Sequence, residues 1–212
     1  MLNFSDFFKA CTGIWKTERI YHSMLQGEIE RSYTQYEVTP LADEEKQQML
    51  SMPLGGLKID KALLQSEEAV CPGFAIAFET VSETGAQVSM SLKALFIPDA
   101  YAIDETAKPL PPLPSAAQIS PTEELIQGFY LRDEGYSEAG ATKSRFTYLP
   151  SRQTLEMTTY YRNSVAVDQM RMVAPNLRVR TIITYQRSNA NTPPTIIELV
   201  GFGVERREPL ET

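Results

Sequence analysis

Apolar and polar residues alternate with a period of two along most of this chain, and only two segments shift to a period of three to four. Phe4, Phe7, Phe8 and Cys11 follow Asn3, a favourable N-cap, and precede Gly13, a stop signal, so the spacing predicts a short helix over 4–11 with one apolar face. A second helix is expected from the acidic start Asp43-Glu44-Glu45 to just before Pro53, after which Gly55-Gly56 turns the chain. The alternating runs lie at 13–22, 28–38, 73–82 and 86–97, the last two joined by Ser82-Glu83-Thr84-Gly85. They continue at 127–133, 142–149, 153–162, 165–174, 177–187 and 194–206.

Because side chains alternate across a strand, Trp15, Thr17, Arg19 and Tyr21 share one face of the first run. Short strands at regular spacing with little helix predict an all-β antiparallel meander. Ten strands that close on themselves lose their edges, and the first helix would plug one end of the resulting barrel. Residues 98–121 contain Pro109, Pro111, Pro112 and Pro114 and cannot form a central strand. A segment of that length serves as a lid, a docking surface or an insertion.

Composition narrows the picture. The 212 residues suffice to bury a sizeable core, and no break in composition divides them, so one domain over 1–212 is expected. Ten Tyr and nine Phe suit a strand-rich chain. The net charge of −7, without any basic block, speaks against nucleic acid and anionic membrane as partners. Two cysteines, Cys11 and Cys71, are too few for a secreted disulfide framework, and the start of the chain resembles no signal peptide, so a reduced cytoplasmic setting is expected. One histidine and no paired-cysteine motif exclude a structural zinc site on ligand count, and there is no Gly-rich phosphate loop or Gly-x-Ser-x-Gly elbow.

The run that begins Leu177-Arg178-Val179-Arg180 carries two arginines at a period of two, on one face and about 6.5 Å apart. Two guanidinium forks at that spacing suit the carboxylates of one dianionic ligand; a solvated charged stripe on an outer face is the other reading.

Larger patterns join these residues. Gly13-x-Trp15 after a short helix resembles the lipocalin and calycin signature. Together with Trp15-x-Thr17-x-Arg19-x-x-His22, Gly135-Tyr136-x-Glu138 and Ala174-Pro175-Asn176-Leu177-Arg178-x-Arg180-Thr181, the chain resembles the S-type phycobiliprotein lyases, the chromophore lyase CpcS/CpeS family, over nearly its whole length. The resemblance implies a lipocalin-like up-and-down barrel of about ten strands. It also implies a linear tetrapyrrole, phycocyanobilin or a related bilin, bound as substrate with no prosthetic group. The bilin would be joined by a thioether to a cysteine of an apo-phycobiliprotein subunit such as phycocyanin or allophycocyanin, in a cyanobacterial cytoplasm or a plastid stroma. Whether the lyase acts as a monomer, a homodimer or half of a heterodimer stays open.

The same resemblance suggests residue roles. Arg178 and Arg180 would take the bilin propionates, and Asp168 would face the pyrrole N–H groups as the catalytic carboxylate, with Glu205 a further carboxylate of that kind. Arg19 would contact the ligand or else stack on the Trp15 floor. Tyr136, Arg145 and Tyr148 would line the pocket, or fill core as aromatic residues commonly do. His22 matches a family position, with a structural hydrogen bond as the plainer role. Two other readings are a non-catalytic carrier of a fatty acid or other amphipathic acid, and an assembly chaperone. A fatty-acid site has no use for a carboxylate at Asp168.

Overall fold

A computed structural model describes residues 1–52, 57–64, 66, 69–103, 111–118, 124–135, 140–187 and 191–209. The expected Gly55-Gly56 turn and Tyr136 lie outside the described residues. The elements are α1 (Phe4–Cys11), β1 (Gly13–Ser23), β2 (Ile29–Pro40), α2 (Asp43–Leu50), β3 (Lys58–Ile59), α3 (Lys61–Leu64), β4 (Gly73–Ser82), β5 (Gln87–Pro98), β6 (Ala102–Ile103), β7 (Ile126–Arg132), β8 (Thr142–Leu149), β9 (Thr154–Tyr160), β10 (Ser164–Ala174), β11 (Leu177–Gln186) and β12 (Ile197–Arg207).

The ten alternating runs form ten strands that pair antiparallel in the closed order β1-β12-β11-β10-β9-β8-β7-β5-β4-β2. Closure through β1 and β12 places Thr17 opposite Glu205 and Arg19 opposite Gly203, so the two ends of the chain complete one wall. Alternation then decides which side chains enter the barrel: Trp15, Thr17, Arg19 and Tyr21 from β1, Asp168 and Met170 from β10, and Arg178, Arg180 and Ile182 from β11. The short pair β3–β6 and helix α3 were not expected, because two to four residues are too few to show a period.

Helix α1 closes one end of the barrel. The Asn3 side chain accepts the Asp6 N–H at 2.8 Å, and Phe4, Phe7, Phe8 and Cys11 are all buried. Phe4 stacks on Phe146 with ring centroids 5.4 Å apart, and Phe7 lies 4.9 Å from Tyr148. Trp15 donates its indole N–H to the Cys11 carbonyl at 2.9 Å, which fixes the turn from helix to strand. Each fully buried Phe contributes about 1.5–3 kcal/mol, so this aromatic cluster is the main apolar anchor of the closed end.

The barrel wall is also clad outside in two places. Leu41 and Met49 cover Leu95, Ile97, Phe129 and Leu131 on β5 and β7. Residues 111–118 of the proline-rich segment lie over β9 to β11, with Ala117 buried against Val165, Val167 and Tyr185. Tyr160 donates to the Pro111 carbonyl at 3.0 Å and Gln169 to the Ala116 carbonyl at 2.9 Å. That part of the segment is therefore a strap on the barrel's own wall.

Candidate functional site

Above the aromatic floor, the barrel encloses a cavity of about 370 Å³. Its apolar wall includes Ile76, Phe78, Tyr130, Met157, Ile182 and Leu199, and its polar wall includes Arg19, Arg132, Asp168, Arg180 and Tyr161. Arg180 grips Asp168 with two parallel bonds, Nε to Oδ1 at 2.8 Å and Nη2 to Oδ2. A carboxylate accepts about four hydrogen bonds, so this pairing leaves Asp168 with acceptor capacity for a ligand N–H.

Arg178 has a different place. Its side chain is 2% exposed, its Nε donates to Glu205 Oε2 at 2.5 Å, and its Nη2 donates to the Tyr36 hydroxyl at 2.5 Å. The guanidinium also stacks on Trp15, 4.0 Å from the ring centroid. This ion layer lies between the helix plug and the cavity. Burial alone would raise the Glu205 pKa, but Arg178, Arg180 and Arg19, with a hydrogen bond from Tyr36, hold the carboxyl down to about 2. Glu205 is thus a charged partner of the floor, and neither it nor Arg178 lines the cavity.

Arg19 bridges the two layers. Its Nη2 sits 3.4 Å from Glu205 Oε1, and the residue lines the cavity, while its Nε, enclosed by protein, has no hydrogen-bond partner among the described residues. The guanidinium that stacks on Trp15 is that of Arg178 and not the expected Arg19, whose guanidinium carbon lies 5.8 Å from the Tyr36 ring centroid. Gly201 and Gly203 make this wall possible. A Cβ at Gly201 would meet the Tyr21 ring at 2.6 Å, and one at Gly203 would meet Thr17 Oγ1 at 2.9 Å.

Besides Arg178 and Glu205, three residues expected at the pocket lie elsewhere, and parity explains two of them. Arg145 faces outward on β8, forming a bidentate pair with Asp99 and stacking on Phe129 with its guanidinium carbon 4.5 Å from the centroid. His22 follows Tyr21, so it projects from the outer wall and stacks on exposed Phe202 at 5.8 Å. Tyr148 does face inward but sits in the floor, where its hydroxyl donates to the Leu2 carbonyl at 2.8 Å. The expectation that these three line the cavity is corrected accordingly. Conversely, the cavity also takes Tyr21, Tyr36, Arg132 and Tyr161, and of these Arg132 carries a sequence signal, standing at a period of two from Tyr130 in a mostly apolar strand.

Burial pushes the Cys11 thiol up in pKa and the Cys71 thiol up to about 12, and neither residue lines the cavity.

Residues 3–107 and 115–208 match the model of the CpeS-like protein family. The chain belongs to the CpeS-like family. Chromophore lyase CpcS/CpeS 1 of Synechococcus sp. (strain JA-3-3Ab) is 37% identical over 207 residues, covering 96% of each chain, and the lyase class carries over at that similarity. The S-type phycobiliprotein lyase CPES from Guillardia theta superposes with a TM-score of 0.62 at 16% identity, covering 99% of this chain and 95% of that one, which shows a shared fold. Among the described residues of this CpeS-like chain, no helix is long and apolar enough to cross a membrane, and no His/Cys/Asp/Glu group is arranged to hold a metal ion.

Proposed function

We propose that the barrel cavity binds a linear tetrapyrrole of the phycocyanobilin type and presents it to a cysteine of a phycobiliprotein subunit for thioether formation. The observation that carries this reading is the make-up of the cavity wall. The guanidinium groups of Arg19, Arg132 and Arg180 and the carboxylate of Asp168 line one cavity with an apolar wall. A bilin is a flat apolar chromophore with propionates for the guanidinium groups and pyrrole N–H groups for the carboxylate. A fatty acid would give Asp168 no N–H to accept.

In the reaction, the partner's thiol adds across the exocyclic double bond of ring A. Sulfur bonds the ethylidene carbon, the adjacent ring carbon takes up a proton, and nothing is oxidised or reduced. Asp168 accepts pyrrole N–H groups, which favours the protonated chromophore and makes ring A more electrophilic. Arg180 holds Asp168 in position, Arg19 presents its guanidinium to a propionate, and the apolar wall excludes water. Neither thiol of this chain lines the cavity, which agrees with a nucleophile that arrives with the partner.

The test mixes the protein with phycocyanobilin and apo-phycocyanin β subunit, then denatures the products and measures covalent bilin fluorescence on the acceptor. A protein-dependent increase over spontaneous addition is expected. Equal labelling with and without the protein would overturn the reading.

A further inference from the structure

The cavity has a polar group on the wall across from Asp168 and Arg180. Arg132 stands on β7, four strands round the closed wall from β11, and is only 2% exposed. Its Nε donates to Thr142 Oγ1 at 3.2 Å and its Nη2 donates to the Tyr161 hydroxyl at 2.8 Å. The Tyr130 ring lies beside it, with the guanidinium carbon 5.3 Å from the centroid. These contacts fix the plane of a fork that lines the same cavity as Arg180. Because the Tyr161 oxygen accepts from Arg132, its own proton is placed to donate, so a guanidinium and a phenol converge on one site.

We propose that Arg132 and Tyr161 form a second carboxylate-binding site of this cavity, so that a dicarboxylate ligand is held from two opposite walls. One carboxylate goes to Arg19 and Arg180, and the other goes to Arg132. The pairing of Arg178 with Arg180 as a side-by-side clamp is thereby replaced, because Arg178 is committed to Glu205 and Tyr36 beneath the cavity. Two propionates on neighbouring inner rings have rotatable arms and can diverge toward the two walls. This inference rests on the tetrapyrrole reading above. It adds the residues that take the second propionate.

Absorbance titrations of phycocyanobilin and of its dimethyl ester test it, using wild type, R132M, R132K and Y161F. R132M is expected to bind the diacid roughly ten- to a hundredfold more weakly, the range for a lost hydrogen bond to a charged group. Wild type and R132M should bind the ester alike. R132K should recover only part of the loss, because an ammonium cannot copy the planar fork, and Y161F should weaken the diacid alone by a smaller factor. If R132M does not fold, the diacid-to-ester affinity ratios of R132K and Y161F decide the matter. An unchanged diacid affinity, or an equal loss for diacid and ester, overturns the second site while leaving the tetrapyrrole reading in place. Absence of saturable phycocyanobilin binding to wild type overturns the tetrapyrrole reading, and this inference with it.

Discussion

Arg178 and Arg180 stand two residues apart on one face of β11, yet they belong to different regions: the sealed floor of the barrel and the cavity above it. In the floor, Arg178 is enclosed by Trp15, Tyr36 and Glu205, and its charge is answered entirely by the protein. In the cavity, Arg180 and Arg19 line open volume, and Arg180 holds Asp168 there with two bonds. Two neighbouring arginines therefore divide the work. One joins the helix plug to the barrel, and the other faces what the barrel contains. A charge enclosed by its own partners cannot reach a ligand, whereas one that lines a cavity can.

The division is broken most directly by removing each arginine in turn. Arg178→Ala leaves Glu205 buried without its main partner and is expected to cost about 3–5 kcal/mol of stability, measured by urea denaturation. The paired replacement Arg178→Met with Glu205→Leu should recover most of that loss, because an apolar pair of similar volume leaves no uncompensated charge. Arg180→Ala should cost clearly less stability than Arg178→Ala. Its expected effect is on ligand affinity, a loss of about 1.5–3 kcal/mol in a phycocyanobilin titration. Equal destabilisation by Arg178→Ala and Arg180→Ala would erase the distinction between floor and cavity.

Much of this division was hidden in the sequence. The strands were legible because alternation is a local signal, and all ten expected runs joined the barrel. The pairing of Arg180 with Asp168 depends on the register of two neighbouring strands, and that of Arg178 with Glu205 and Tyr36 on contacts 27 and 142 residues apart, none of which alternation sets. Arg145 and His22 illustrate the other limit. A residue type suited to a ligand says nothing of its face, and a single step in parity puts it on the outer wall. For His22 the parity was available, since Tyr21 shares the face of Trp15 and Arg19. Arg132 could have been noticed as the one charge at a period of two with Tyr130, but its approach to Tyr161 again required the fold.

Within the cavity, Asp168→Asn sharpens the contrast between holding a ligand and activating it. The asparagine keeps the size of the side chain and removes its charge. Attachment of phycocyanobilin to apo-phycocyanin should slow roughly tenfold or more, while the long-wavelength absorbance of the protonated bound chromophore is lost. Retention of both the rate and the spectrum would remove Asp168 from the chemistry and leave it as a support for Arg180.

A last contrast compares two buried carboxylates by pH. Glu205 in the floor has its pKa depressed, so its pairing contributes stability above the ordinary carboxylate range, and that contribution is lost as pH falls toward about 2. Glu156 lies on the outer wall, 3% exposed near the 111–118 strap, where Gln169 donates both to its Oε2 at 3.1 Å and to the Ala116 carbonyl at 2.9 Å. Burial raises its pKa to about 7, with the bonds from Gln169 and Thr158 opposing the shift. Between the unfolded value near 4.5 and about 7, the folded protein holds the extra proton, so stability falls as pH rises. The slope is bounded at about 1.4 kcal/mol per pH unit for a single proton. Glu156→Gln should flatten stability between pH 5 and 7 while leaving the acid limb set by Glu205 intact, as read from urea midpoints across that range. A variant with the wild-type slope would show that Glu156 remains ionised in its place, and that the strap is held by Gln169 without help from a shared proton.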